Sequence, residues 1–167
     1  MSLNRRLFLQ SAAAAAAMPG LAPLDSLAAA APNELVAGVF KQRVREGGAE
    51  TAVWGFNLQV PGPELRFRQG EEASMLVRNR LPQATTVHWH GIRVPNEMDG
   101  VPNVTQVAIP PDVDFPYRFR LPDTGTYWYH PHQSSFEQVP RGLYGALIVE
   151  EPKPLPVDRE VVWVLSD

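Results

Sequence analysis

The chain carries 17 prolines in 167 residues, and from Glu34 onward most of them fall between short runs in which apolar and polar residues alternate. Proline breaks a helix interior and cannot donate to a β-ladder, so its natural place is at the joints between short elements. Leu65 and Phe67 alternate with Arg66 and Arg68, and Met75 and Val77 alternate with Leu76 and Arg78. Gly47-Gly48 and Gly70 supply turns between such runs. ELVAGVFKQRVRE (34–46), TAVWGFNLQV (51–60), TTVHWHGIRV (85–94), FPYRFRLP (115–122), GTYWYHPH (125–132) and GLYGALIVEE (142–151) read as further strands. Only SSFEQVPRG (134–142) offers a turn of helix in this part of the chain. Many short strands with Gly/Pro punctuation predict an all-β fold, an antiparallel sandwich or barrel.

The length suits one ordinary domain with a proper core. A net charge of −3 and a pI near 5.8 argue against an electrostatic nucleic-acid binder. There is no cysteine, which excludes disulfides, thiolate chemistry and metal sites that need cysteine sulfur. Residues 1–31 have a different character: Arg5-Arg6, then Leu7-Phe8-Leu9, then an alanine-rich run closing on small residues near Ala28–Ala31. This is the layout of a bacterial export signal, and the paired arginines resemble the twin-arginine type. An alanine-rich helix belonging to the domain is the competing account, but Pro19-Gly20 and Pro23 interrupt it. The run is also too short and broken to span a bilayer. The expected product is a soluble bacterial protein, periplasmic or otherwise exported, with no membrane segment in its mature form. Residues 152–167 begin as a proline-rich linker and end in EVVWVLSD, an apolar strand that could close the first sandwich or open a following domain.

All four histidines of the chain stand in two H-x-H pairs, His88/His90 in VHWHG and His130/His132 in YWYHPHQ. On a strand, i and i+2 share a face, so each pair presents two imidazoles to one side. If the two strands are neighbours, the four rings converge. Pro131 puts its strand end at an edge, a bulge or a mouth. One H-x-H alone is more often surface or satisfied core than ligand, whereas two pairs that use every histidine point to a metal. All-nitrogen ligation suits copper, and four ligands also allow one tetrahedral zinc. Asp99, in NEMDGV, precedes Gly100 in a strong turn signal. Trp89, Trp128 and Tyr129 read as packing residues or as supports around the histidines.

The stretches TTVHWHGIRVPNEMDGVPNVTQ and GTYWYHPHQSSFEQVPRGLYGALIVEE closely resemble the first cupredoxin domain of multicopper oxidases, among them laccase-like and copper-tolerance oxidases. VPGPELRFRQGEEASMLVRNRLP matches that family's first-domain strands, and the similarity runs from about Leu35 to Glu151. A cupin barrel would need a glutamate soon after the first pair and a later lone histidine, and this chain has neither pattern. The resemblance implies a cupredoxin-like Greek-key sandwich over residues 33–151. It implies a type 2 copper ligand at His88 and ligands of the paired type 3 coppers at His90, His130 and His132. It also implies an acidic residue, Asp99, that helps deliver protons while dioxygen is reduced to water. Such a cluster sits between the first and last cupredoxin domains, each supplying four histidines.

The chain departs from the family in having neither the second set of H-x-H motifs nor the cysteine that binds the mononuclear copper. The expectation is an N-terminal fragment or truncated product, with residues 152–167 holding the cut-off first strand of the next domain. Its partners would be the C-terminal cupredoxin domains, in cis or in another chain, with dioxygen and a phenol or cuprous ion as reactants. Alone it would be inactive. The alternative is a stand-alone periplasmic copper-binding module without turnover.

Overall fold

The structure, a computed structural model, describes residues 33–166; the export signal expected over 1–31 lies outside them. Eight strands are present among these residues: β1 (Glu34–Arg43), β2 (Glu50–Phe56), β3 (Leu65–Arg68), β4 (Glu72–Arg80), β5 (His88–His90), β6 (Asp114–Arg120), β7 (Gly125–His130) and β8 (Gly145–Glu150). A 3-10 turn at Asn96–Met98 and one helical turn, α1 (Ser135–Gln138), are the only helical elements among the described residues. The strands form two four-stranded sheets, in the orders β2-β1-β4-β6 and β3-β8-β7-β5. The fold is the all-β two-sheet architecture that the alternation predicts.

Period-2 patterning sorts the side chains. In β4, Ala73, Met75, Val77 and Asn79 are buried, while Glu72, Ser74 and Arg80 face solvent. Leu35, Ala37, Met75, Val77, Tyr117 and Phe119 from the first sheet meet Phe67, Trp89, Tyr129, Leu147 and Val149 from the second in one core. Asn79 is the polar exception and is fully satisfied. Its Nδ2 donates to the carbonyls of Gln83 and Ile109, both at 2.9 Å, and its Oδ1 accepts from Leu81 N at 3.0 Å.

The sheets are not purely antiparallel. β1 pairs with β4 in parallel (Leu35↔Val77), and β3 pairs with β8 in parallel (Phe67↔Val149). Parallel neighbours need a crossover rather than a hairpin, and here the chain crosses between the sheets to make it. The strand expected over 85–94 shrinks to His88–His90, because Gly91 takes φ +87° and Ile92 N turns back to Trp89 O at 3.1 Å. Residues 151–166 carry no strand and pair with neither sheet, so EVVWVLSD does not close this sandwich.

Tyr129 shows how tightly the second sheet is fitted. Its Oη donates to Pro63 O at 2.7 Å, and its ring meets that of Phe56 at 5.3 Å between centroids. A Cβ on Gly145 would lie 2.2 Å from that oxygen, so glycine is what lets β8 approach. Tyr129→Phe is expected to cost about 1–2 kcal/mol in urea denaturation, the value of an acceptor left without its donor.

Candidate metal centre

The site grows from the register of β5 on β7. His88 stands opposite His130, Trp89 opposite Tyr129, and His90 opposite Trp128. Trp89 and Tyr129 point into the core with no solvent exposure. Their neighbours along each strand therefore turn to the other face, where all four imidazoles gather. Ring centroids of His88 lie 5.4 Å from His90, 5.5 Å from His130 and 4.6 Å from His132. His130 and His132 are 5.3 Å apart. One ligand nitrogen from each of His88, His90 and His130 falls within a span of 4.8 Å. His132 stands beyond the end of β7, which closes at His130, and is not part of that group of three. Its backbone N–H donates to Thr86 Oγ1 at 3.1 Å, which continues the contact between the two segments past the ladder.

The outer nitrogens of two rings are already engaged. His88 Nδ1 lies 2.7 Å from the backbone oxygen of Asp99, with that residue's carboxylate Oδ1 at 3.3 Å. His130 Nδ1 lies 3.0 Å from Pro131 O. A carbonyl only accepts, so in both rings Nδ1 carries the proton and Nε2 keeps its lone pair. His90 Nδ1 lies 3.2 Å from His130 Nε2, which sets two nitrogens of different strands side by side. Burial holds His130 down to about 4, and the three other imidazoles push the same way against its bond to Pro131. His132 is also lowered, first by burial and then by His88, with Asp99 opposing. Both are neutral imidazoles at neutral pH, the form that ligates.

Four imidazoles, with two ring tautomers fixed by carbonyls, are a donor set that fits copper or zinc. Asp99 follows the 3-10 turn and is half-buried beside His88, so the turn and the contact to histidine coexist. Sequence reasoning missed Thr86, whose Oγ1 accepts from His132 N, and the carbonyl role of Pro131. It also did not separate Trp128 from Trp89 and Tyr129. Trp128 is 38% exposed and lies on the histidine side, with its indole stacked on His130 at 3.9 Å between centroids.

Residues 39–154 match the multicopper oxidase family profile. A copper resistance protein A homolog from Pseudomonas syringae pv. tomato is 39% identical over a 178-residue alignment that takes in 98% of this chain and 30% of that protein. Copper resistance protein A of Escherichia coli is 44% identical over 122 residues, 72% of this chain and 20% of that one. Among solved structures, Lac15 from a marine microbial metagenome superposes with a TM-score of 0.72 at 51% identity, covering 77% of this chain and 34% of its own. A multi-copper oxidase from Pseudomonas Thermotolerans gives 0.70 at 48% identity, covering 72% and 29%. The chain thus spans less than a third of the length of these curated relatives.

Proposed function

Because this chain belongs to the multicopper oxidase family, we propose that it is the first cupredoxin domain of such an oxidase, supplying half of the histidine ligands of a three-copper cluster. The observation that carries this is the gathering of both H-x-H pairs on one sheet face, with Nδ1 of His88 and His130 engaged by carbonyls. His88 would hold the type 2 copper, and His90, His130 and His132 would serve the type 3 pair. Bound copper of this kind supplies the four-electron reduction of dioxygen to water.

The chain's own residues orient and supply protons. Asp99 O and Pro131 O fix two ring tautomers, so Nε2 of His88 and of His130 carries the lone pair that a metal needs. The Asp99 carboxylate, 3.3 Å from His88 Nδ1, takes up protons from solvent at Oδ1 and passes them toward the site. Asp99→Asn keeps the backbone carbonyl and removes the proton carrier. In the assembled oxidase it is expected to lower oxygen uptake about 10-fold or more while copper content stays unchanged. Equal oxygen uptake by the two forms, at equal copper content, would remove Asp99 from this role.

The other ligands come from a further cupredoxin domain, in cis or from another chain, to which residues 152–167 lead; residues 33–151 form the domain described. The electron donors are phenols or cuprous ion, a reading supported by relatives named for copper resistance and by a relative named Laccase-1. The site of action is the periplasm, after twin-arginine export directed by residues 1–31. The alignment with the Pseudomonas syringae protein takes in 98% of this chain and so extends into that segment. Among the described residues no helix is long and apolar enough to cross a membrane.

The test is an oxygen-electrode assay of the copper-loaded chain with a phenolic donor. Oxygen uptake no greater than a copper blank is expected, because half of the ligands are elsewhere. Turnover above the blank that disappears in His130→Ala would show that the chain works without a partner domain.

A further inference from the structure

We propose that Trp128 is the positioning residue of this site, an aromatic clamp that holds His130 and His90 in the relation needed to share metals. The proposal rests on the reading of the histidines as copper ligands. Trp128 and His130 are i and i+2 on β7 and so share its outer face. The β5–β7 register also sets Trp128 directly across from His90. One indole therefore touches a ring from each H-x-H pair. It stacks on His130 at 3.9 Å with 22° between planes, and meets His90 at 5.0 Å with 31°.

The geometry of His130 is overdetermined in a way that this contact explains. One ring face lies under the indole, the edge of His88 stands at 75° to it, and Nδ1 is tied to Pro131 O at 3.0 Å. Among the described residues, His90 has no carbonyl or carboxylate at either ring nitrogen; its ring meets His130, His88 and Trp128. Trp128 is thus the aromatic group, other than the histidines themselves, that braces the His90 ring. Without it, His90 regains rotamer freedom, and the 3.2 Å approach of its Nδ1 to His130 Nε2 loses its support. Core packing is a poor account of this indole. Trp89, one strand away, is fully buried, whereas Trp128 is 38% exposed on the face opposite the core.

The experiment compares the full chain with Trp128→Leu, Trp128→Phe and His130→Ala. Copper(II) affinity is measured by chelator competition, the ligand field by electron paramagnetic resonance, and the melting temperature without metal. Trp128→Leu is expected to weaken copper about 10-fold and alter the resonance while the metal-free melting temperature holds. Trp128→Phe, which keeps a stacking face, should recover most of both. His130→Ala should lose binding to a greater extent than either. The proposal is overturned if Trp128→Leu binds copper like the parent while His130→Ala does not. It is equally overturned if Phe fails to rescue, or if the melting temperature falls in step with affinity. If His130→Ala itself binds copper unchanged, the ligand reading fails and the clamp with it.

Discussion

Gly100→Ala is expected to destabilise the chain by about 3 kcal/mol or more, and to weaken copper binding with it. Gly100 has φ +77°, where any Cβ is strained, and a Cβ there would lie 2.0 Å from Val87 O, 2.5 Å from Val87 C and 2.8 Å from His88 N. These are backbone atoms, so no rotamer change can relieve the clash. The loop has to back away from β5, and the residue it carries is Asp99, whose backbone oxygen engages His88 Nδ1. Stability and ligand orientation therefore fail together. Gly70→Ala is the control, since Gly70 has φ +81° but nothing within 4 Å of a Cβ. It should cost about 1 kcal/mol. Equal urea midpoints for the two variants would mean that the approach of Gly100 to β5 is not what demands glycine.

The second large effect is expected at Trp89. Trp89→Ala should cost about 3–5 kcal/mol, the usual range for deleting a buried aromatic. The indole is fully buried between the sheets, with ring centroids 5.4 Å from Tyr117, 5.0 Å from Phe119 and 6.2 Å from Tyr129. Its Nε1 has no hydrogen-bond partner among the described residues, so the loss is one of packing rather than of a bond. Trp89→Phe should accordingly keep most of the stability. Trp89 also separates His88 from His90, so a collapsing cavity beneath β5 would move both ligands. Urea denaturation of the metal-free chain gives the first effect and copper competition the second. A Trp89→Ala variant within about 1 kcal/mol of the parent would contradict the packing account.

Strand period made the essential feature of the site legible. In VHWHG, a period of 2 sends Trp89 to the core and His88 and His90 away from it, and no other information is needed for that division. The positions of Gly47 and Gly70 as turns were readable for the same local reason. What local pattern cannot carry is register. That Trp128 faces His90, and that His88 faces His130, depends on how β5 slides along β7. The parallel pairings of β1 with β4 and β3 with β8 likewise depend on crossovers between sheets. Nor does a side-chain alphabet reveal backbone acceptors: Asp99 was readable as a carboxylate, while its carbonyl, and that of Pro131, set the ring tautomers. EVVWVLSD shows the converse limit, since a short apolar run has strand character only where a ladder partner is available.

The central claim is that the two H-x-H pairs hold copper together. X-ray absorption at the copper edge of the loaded chain tests it directly, because imidazole rings scatter in a pattern that water and carboxylates do not. The account predicts imidazole multiple scattering at full copper loading, drawn from both pairs and reduced in His88→Ala and in His130→Ala alike. A spectrum dominated by oxygen ligands, or one that either variant leaves unchanged, would contradict it.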